Sequence, residues 1–324
     1  MTSSPKPISD HCRTLLTSGP LGTTFRELMS HGRRVLPRRF KYWGDDYSGV
    51  CDMLTLTEPN LVDTLYREYL YAGADILLTN TFMSNRLTLS KCGLGDYAHR
   101  LNREGVLAAR TAIKYFNDID CGDSDMPACS DSSRYVAGAV GGISVDENLY
   151  SNETMVSAYL TQIETLVGAG CDCVIAETMT STASAAAALE AAALASIRLG
   201  RNFDTHVSFT LARDNHLPSG ESLQHAAEVV GASGNAASIG LNCVYPSSRA
   251  AEQAARLLDM TRLPVSLRPS AAITYSDLSI PQDVEAPETV AQSFEPLIKS
   301  GRLCMAGVCC GGGTHHIEAL RQLI

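Results

Sequence analysis

A single α/β domain folded as a (β/α)8 TIM barrel is predicted by three features of this 324-residue sequence. Short apolar, β-favouring runs recur eight times, and amphipathic helical stretches separate them along the chain. Parallel neighbours need a crossover long enough to hold a helix, so this alternation implies a parallel sheet. Eight such units favour a closed barrel over an open sheet, and the length suits a barrel with insertions.

The strand candidates are residues 18–21, 75–82, 135–141, 172–178, 206–211, 238–243, 264–269 and 304–310. Helical patterns occupy 58–72, 96–116, 153–169, 181–199, 222–230, 247–258 and 287–300, and a last helix runs from 314 to 324. In the first of these, Leu61, Leu65, Tyr69 and Ala72 share one face, and Pro59 stands at the start, where a missing N–H is harmless. Two segments interrupt the rhythm. Residues 32–57 form a long loop between the first strand and its helix, and 117–134, NDIDCGDSDMPACSDSSR, read as a polar, turn-rich insert. No linker divides the chain, so one barrel is expected over residues 1–324, with no further domain after it.

Hydrophobic residues make up 45% of the chain and charged residues 19%, a balance suited to an enzyme with a large core. A net charge of −9 argues against nucleic acid as a partner, because phosphate binding needs a clustered basic excess. The one basic cluster, Arg33, Arg34, Arg38, Arg39 and Lys41, reads as a solvated loop or as a docking patch for an anionic donor or carrier protein. The chain start lacks the pattern of a secretory signal, and no run of about 18 apolar residues predicts a membrane span. Eleven cysteines without an export signal point to a reducing, cytoplasmic setting rather than a disulfide scaffold.

Barrel enzymes carry their chemistry at the carboxyl ends of the strands. There the sequence offers IGLNC at Cys243, AGVCC at Cys309 and Cys310, VIAET at Glu177, LLTNTF with Thr79, Asn80 and Thr81, and SGPLGTTF from Ser18. Three thiols with one open position would make a catalytic zinc site. Buried cysteines are equally read as small inert hydrophobes. Tandem cysteines at a strand end also need a bulge to act together, which Gly311–Gly313 could allow.

The segments TEPNLVDTLYREYLYAGADILLTNTF, VIAETMTS, VSFTLARDNHLPSGESL, IGLNC and GVCCGGGTHHI together resemble the homocysteine-binding methyltransferase family. That family includes S-methylmethionine- and betaine-dependent homocysteine methyltransferases and the first module of cobalamin-dependent methionine synthase. The resemblance implies zinc held by Cys243, Cys309 and Cys310, with homocysteine or a related thiol at the open position. It gives Glu177 the acceptor's amino group. It gives the backbone around Ser18, Gly19 and Gly22, with Thr79, Asn80 and Thr81, the acceptor's carboxylate. Methionine would be the product, and the donor a small onium compound such as S-methylmethionine or S-adenosylmethionine, or a methylcorrinoid protein. A different thiol acceptor, or a non-catalytic barrel that senses thiol or zinc, are the alternatives.

Three departures bear on the acceptor. Ser18 stands where most members have Asp, LRPSAA with Arg268 replaces a YPN-type strand end, and GAVGGIS replaces a GSxGP-like turn. Other signals carry less. RDNHLPSG has one residue too many for a DxHxxG cobalamin motif, and GVCCGGGTHH lacks a P-loop ending. His315 and His316 open the last helix, and Cys121 and Cys129 lie in the polar insert. Cys171 and Cys173 read as core residues on one face of a strand.

Overall fold

The computed structural model describes residue 8 and residues 13–30, 50–120, 134–143, 149–273 and 283–324. The basic cluster, most of the long loop, Cys121 and Cys129 lie outside these residues. The strands are β1 (Leu15–Leu16), β2 (Ile76–Leu78), β3 (Tyr135–Gly141), β4 (Cys173–Met179), β5 (Asp204–Phe209), β6 (Ser238–Asn242), β7 (Val265–Arg268) and β8 (Leu303–Ala306). They form one parallel sheet in the order β1-β8-β7-β6-β5-β4-β3-β2. A parallel bridge between Thr17 and Ile76, and the Ser18 N–H bond to the Ile76 carbonyl at 2.7 Å, join its two ends. The barrel closes as the alternation predicts.

Two apolar layers follow from strand alternation. Leu15, Ile76, Leu78, Tyr135, Ala137, Cys173, Ile175 and Met305 pack inside the barrel, and Ile8 joins them. The neighbouring positions, such as Leu16, Leu77, Val136 and Val174, face the surrounding helices. Truncating one of these buried leucines to Ala would cost about 2–5 kcal/mol. Cys171 and Cys173 are both buried, but they divide between the two layers, which corrects their expected common face. The cause is local: Gly170 turns at φ +103°, and strict alternation starts only with β4.

Helix starts follow capping chemistry. The side chains of Ser151, Ser181 and Ser222 each accept the backbone N–H three residues on, opening Asn152–Gly168, Thr182–Leu199 and Leu223–Ala232. The alanine-rich helix Thr182–Leu199 is long and apolar enough for a membrane span by composition, yet half of it is buried inside the protein.

Several boundaries differ from expectation for identifiable reasons. The first strand lies before Ser18, because Pro20 has no N–H for a ladder and helix Leu21–Ser30 begins directly after it. The long loop ends in helical turns, Cys51–Met53 and Leu54–Thr57, whose Cys51, Met53 and Leu54 are buried. A short helix, Arg86–Ser90, was not anticipated. The helix expected over 287–300 is two, Pro287–Ser293 and Glu295–Lys299, because Pro296 cannot donate into a continuous ladder. Strand β8 stops at Ala306 instead of reaching Cys310.

At the amino-terminal face two aspartates, each two residues past an Ala-Gly pair, clamp strand starts. Asp75 accepts the Leu16 N–H at 2.8 Å and ion-pairs with Arg13 and Arg321 at 2.8 and 2.6 Å. Asp172 accepts the Val136 N–H at 2.7 Å and pairs with Arg110 at 2.5 Å.

Candidate active site at the carboxyl end of the barrel

Cys243, Cys309 and Cys310 converge where β6 and β8 end. Cys243 follows β6 with φ +57°, a left-handed conformation that costs a non-glycine residue about 1–3 kcal/mol. Its N–H donates to the Arg268 carbonyl at 3.1 Å, and its own carbonyl accepts the Thr210 hydroxyl at 3.3 Å. The chain after β8 leaves the ladder and turns. The Cys309 N–H donates to the Pro269 carbonyl at 2.7 Å, and the Ala271 and Ala272 N–H groups donate to the Cys310 carbonyl. Gly311 completes the turn at φ +79°, and a Cβ there would lie 2.5 Å from that of Ala272. The tandem thiols therefore share a site by leaving the strand rather than by bulging within it.

The three sulfurs lie within 4.8 Å of one another. Cys243 Sγ is 2.7 Å from Cys309 Sγ and 3.5 Å from Cys310 Sγ, and the last pair is 4.0 Å apart. Tetrahedral zinc with bonds of about 2.3 Å sets its sulfurs roughly 3.8 Å apart. Two separations match that spacing, and the third needs the Cys243–Cys309 pair to open by roughly 1 Å. The donor set also fits a cation chemically. Contact with Cys309 and Cys310, together with burial, holds the Cys243 thiol well above the ordinary range. Three thiols crowded together resist ionising unless a positive charge joins them.

Glu177, on β4, lies beside this cluster, and its partner is Arg268 of β7, whose Nη1 donates to Glu177 Oε2 at 2.6 Å. Burial raises the Glu177 carboxyl above its usual range, while the Arg268 charge works against that rise. Arg268 Nη2 donates to Ser208 Oγ at 3.0 Å, and that hydroxyl donates to Asn242 Oδ1 at 2.7 Å. Asn242 Oδ1 also accepts the Thr178 N–H at 2.8 Å, and its Nδ2 donates to Thr178 Oγ1 at 2.6 Å. Thr178 is itself left-handed at φ +56°, rare for a β-branched residue. One polar chain thus ties β4, β5, β6 and β7 together at the barrel mouth.

The β1 and β2 ends are packed differently. Ser18 is fully buried, and its hydroxyl accepts the Leu78 N–H at 3.0 Å, extending the β1–β2 pairing. A Cβ on Gly19 would lie 2.7 Å from the Tyr69 ring, so glycine is required there, whereas Gly22 has open space. Thr79 and Thr81 hydroxyls lie 2.6 Å apart and bond the Ala139 backbone. Asn80 donates to the Cys51 carbonyl and to Thr55 Oγ1. Those side chains hold β2 to its neighbours, and helix Leu21–Ser30 starts two residues after Gly19. Thr23 Oγ1, near that start, is buried without a partner.

Sequence reasoning passed over Ser208, Asn242 and Asp52. The first two were visible as polar residues at the inward, every-second positions of β5 and β6. Asp52 carried no such signal. It accepts the Met83 N–H at 2.8 Å and the Ser84 hydroxyl at 2.7 Å, and burial lifts its pKa to about 7. His316 is structural: its Nδ1 accepts the Gly313 N–H and its Nε2 donates to the Glu285 carbonyl.

The homocysteine S-methyltransferase family model matches residues 15–324, which is nearly the whole chain and includes every residue of this site. The chain belongs to the homocysteine S-methyltransferase family. Methionine synthase of Mycobacterium leprae (strain TN) is 27% identical over 285 residues, a match covering 86% of this chain. The chain spans only 23% of that protein's length. Among solved structures, the homocysteine methyltransferase MmuM from Escherichia coli superimposes in its oxidized form with a TM-score of 0.72 at 21% identity, over 98% of both chains. Its metallated form gives 0.71 at 20% identity over 96% of both. A barrel of this family thus presents three thiols at the carboxyl ends of its strands.

Proposed function

We propose that this protein transfers a methyl group to the thiol of homocysteine, forming methionine, with zinc held by Cys243, Cys309 and Cys310. The observation that carries the reading is three sulfurs, from loops after β6 and β8, lying within 4.8 Å of one another at the catalytic end of a family barrel. Bound there, zinc supplies Lewis acidity that keeps an acceptor thiol deprotonated at neutral pH.

The chain's own residues position the acceptor. Glu177 receives its ammonium, and the backbone N–H groups near Gly19 and at the start of helix Leu21–Ser30 receive its carboxylate. The acceptor sulfur attacks the methyl carbon in line. The new S–C bond forms as the methyl–donor bond breaks, the donor leaves with that electron pair, and the thiol proton goes to solvent. Alignment and exclusion of water are the protein's contribution. The donor is a small onium compound, S-methylmethionine or S-adenosylmethionine, or a methylcorrinoid protein. Residues 1–324 act as one homocysteine-binding barrel in the cytoplasm.

The test combines metal analysis with turnover. Wild-type protein should retain about one zinc per chain, and Cys309→Ala should lose both zinc and methionine formation while its circular dichroism is unchanged. Full zinc content in Cys309→Ala would overturn the metal assignment. Homocysteine binding without methionine formation from any of the three donors would indicate a sensing barrel instead.

A further inference from the structure

The Arg268–Glu177 pair bears on which thiols the site accepts. A carboxylate meant solely for a substrate ammonium stands without a protein counter-ion, so a thiol lacking the amine leaves that charge buried and unmatched. Sites of that kind reject the deficient analogue by factors of roughly ten thousand. Glu177 is not in that position. Arg268 already bonds it at 2.6 Å, with both side chains largely buried, and Ser208 holds the other arm of the guanidinium. Ser18, just past β1, adds no second negative charge and spends its hydroxyl on the Leu78 N–H. The pair is neutral whether or not an amine arrives.

We propose that Arg268 is a specificity-determining residue, an internal counter-ion for Glu177 that extends the acceptor class to thiol carboxylates without an α-amino group. This inference rests on the thiol-acceptor reading above and names the acceptor range of the same site. Homocysteine binds by sharing the Glu177 carboxylate with Arg268. Its deamino analogue, 4-sulfanylbutanoate, forfeits that one contact and strands no charge. Discrimination between them shrinks accordingly.

The experiment is isothermal calorimetry of both thiols against the zinc-loaded full-length chain at pH 8, with no methyl donor present. Dissociation constants within about tenfold of each other are expected, the size of one shared charge-assisted hydrogen bond. In Arg268→Gln the ratio should widen beyond about a hundredfold, because Glu177 then lacks its counter-ion, and Arg268→Lys should restore a narrow ratio. A purely structural role for Arg268 would weaken both thiols together and leave the ratio unmoved, which overturns the proposal. The wild-type ratio decides the matter even if the glutamine variant fails to fold. Binding of homocysteine but not of its analogue overturns this inference and leaves the homocysteine reading standing. Binding of neither overturns both.

Discussion

The carboxylates at the two ends of the barrel meet arginines in different ways. At the amino-terminal face Asp75 and Asp172 each accept a backbone N–H from the preceding strand as well as an arginine. The arginines there remain about one-third exposed, at 38%, 32% and 35%. At the mouth, no backbone N–H among the described residues donates to Glu177, and its arginine is only 4% exposed. A carboxylate that ties two strands together through the backbone is a clamp and has little left for a ligand. One that is bonded only through a buried side-chain cation, beside a thiol cluster, can redistribute its bonds when a substrate comes. Position along the strand separates these roles, since barrel ligands enter at the carboxyl ends.

The comparison breaks most visibly at Asp75. Asp75→Ala strips a partner from the Leu16 N–H and from two arginines, and should lower unfolding stability by about 2–3 kcal/mol once screening of the partly exposed arginines is allowed for. Asp172→Ala removes one arginine contact rather than two and should cost less, about 1–2 kcal/mol. Urea midpoints read both. Acceptor affinity in the folded variants should stay at the wild-type value, and a selective loss of affinity would abolish the distinction drawn here.

Glu177→Gln should act on the ligand as well. Its amide oxygen still accepts from Arg268 but leaves that buried guanidinium without a counter-charge, so a stability loss of about 2 kcal/mol is expected, with zinc content unchanged. Homocysteine affinity should fall by about tenfold, the low end for a charge-assisted bond, because Arg268 already shares the carboxylate. Calorimetry beside a urea titration measures the two effects in one preparation. A large stability loss with intact affinity would make Glu177 a clamp like Asp75.

The smallest effect belongs to pH and to two acids shifted in opposite directions. Burial raises the Asp52 carboxyl from 3.8 to about 7, so the fold favours its neutral form. Its contribution is complete below 3.8 and is lost as pH rises through 7. Asp52→Asn, which keeps an oxygen for Met83 and Ser84, should therefore be more stable than wild type at pH 8 by about 1 kcal/mol, with the gap closing toward pH 4. Asp75 runs the other way. Burial pushes it up, but Arg13, Arg321 and the Leu16 N–H together bring it below 3.8. Its stabilisation is present above 3.8 and fades as pH falls through the folded value, so the Asp75→Ala deficit should narrow in acid. Thermal melts from about pH 2 to pH 8 check both signs.

The sequence by itself determined the alternation of strands and helices and the bounds of β3, read correctly at residues 135–141. It also placed Cys243, Cys309, Cys310 and Glu177 toward strand ends. These are local properties, carried by side-chain periodicity, caps and turn residues over a few positions. Only the tertiary structure decided that β8 ends at Ala306 so that Cys309 and Cys310 turn together toward Cys243, 66 residues earlier. It alone paired Arg268 with Glu177 across 91 residues, committed the Ser18, Thr79 and Thr81 hydroxyls to strand contacts, and buried Asp52 at the mouth. The physical reason is closure. Which polar groups meet inside a barrel depends on the register of all eight strands at once, and no short window of sequence carries that information.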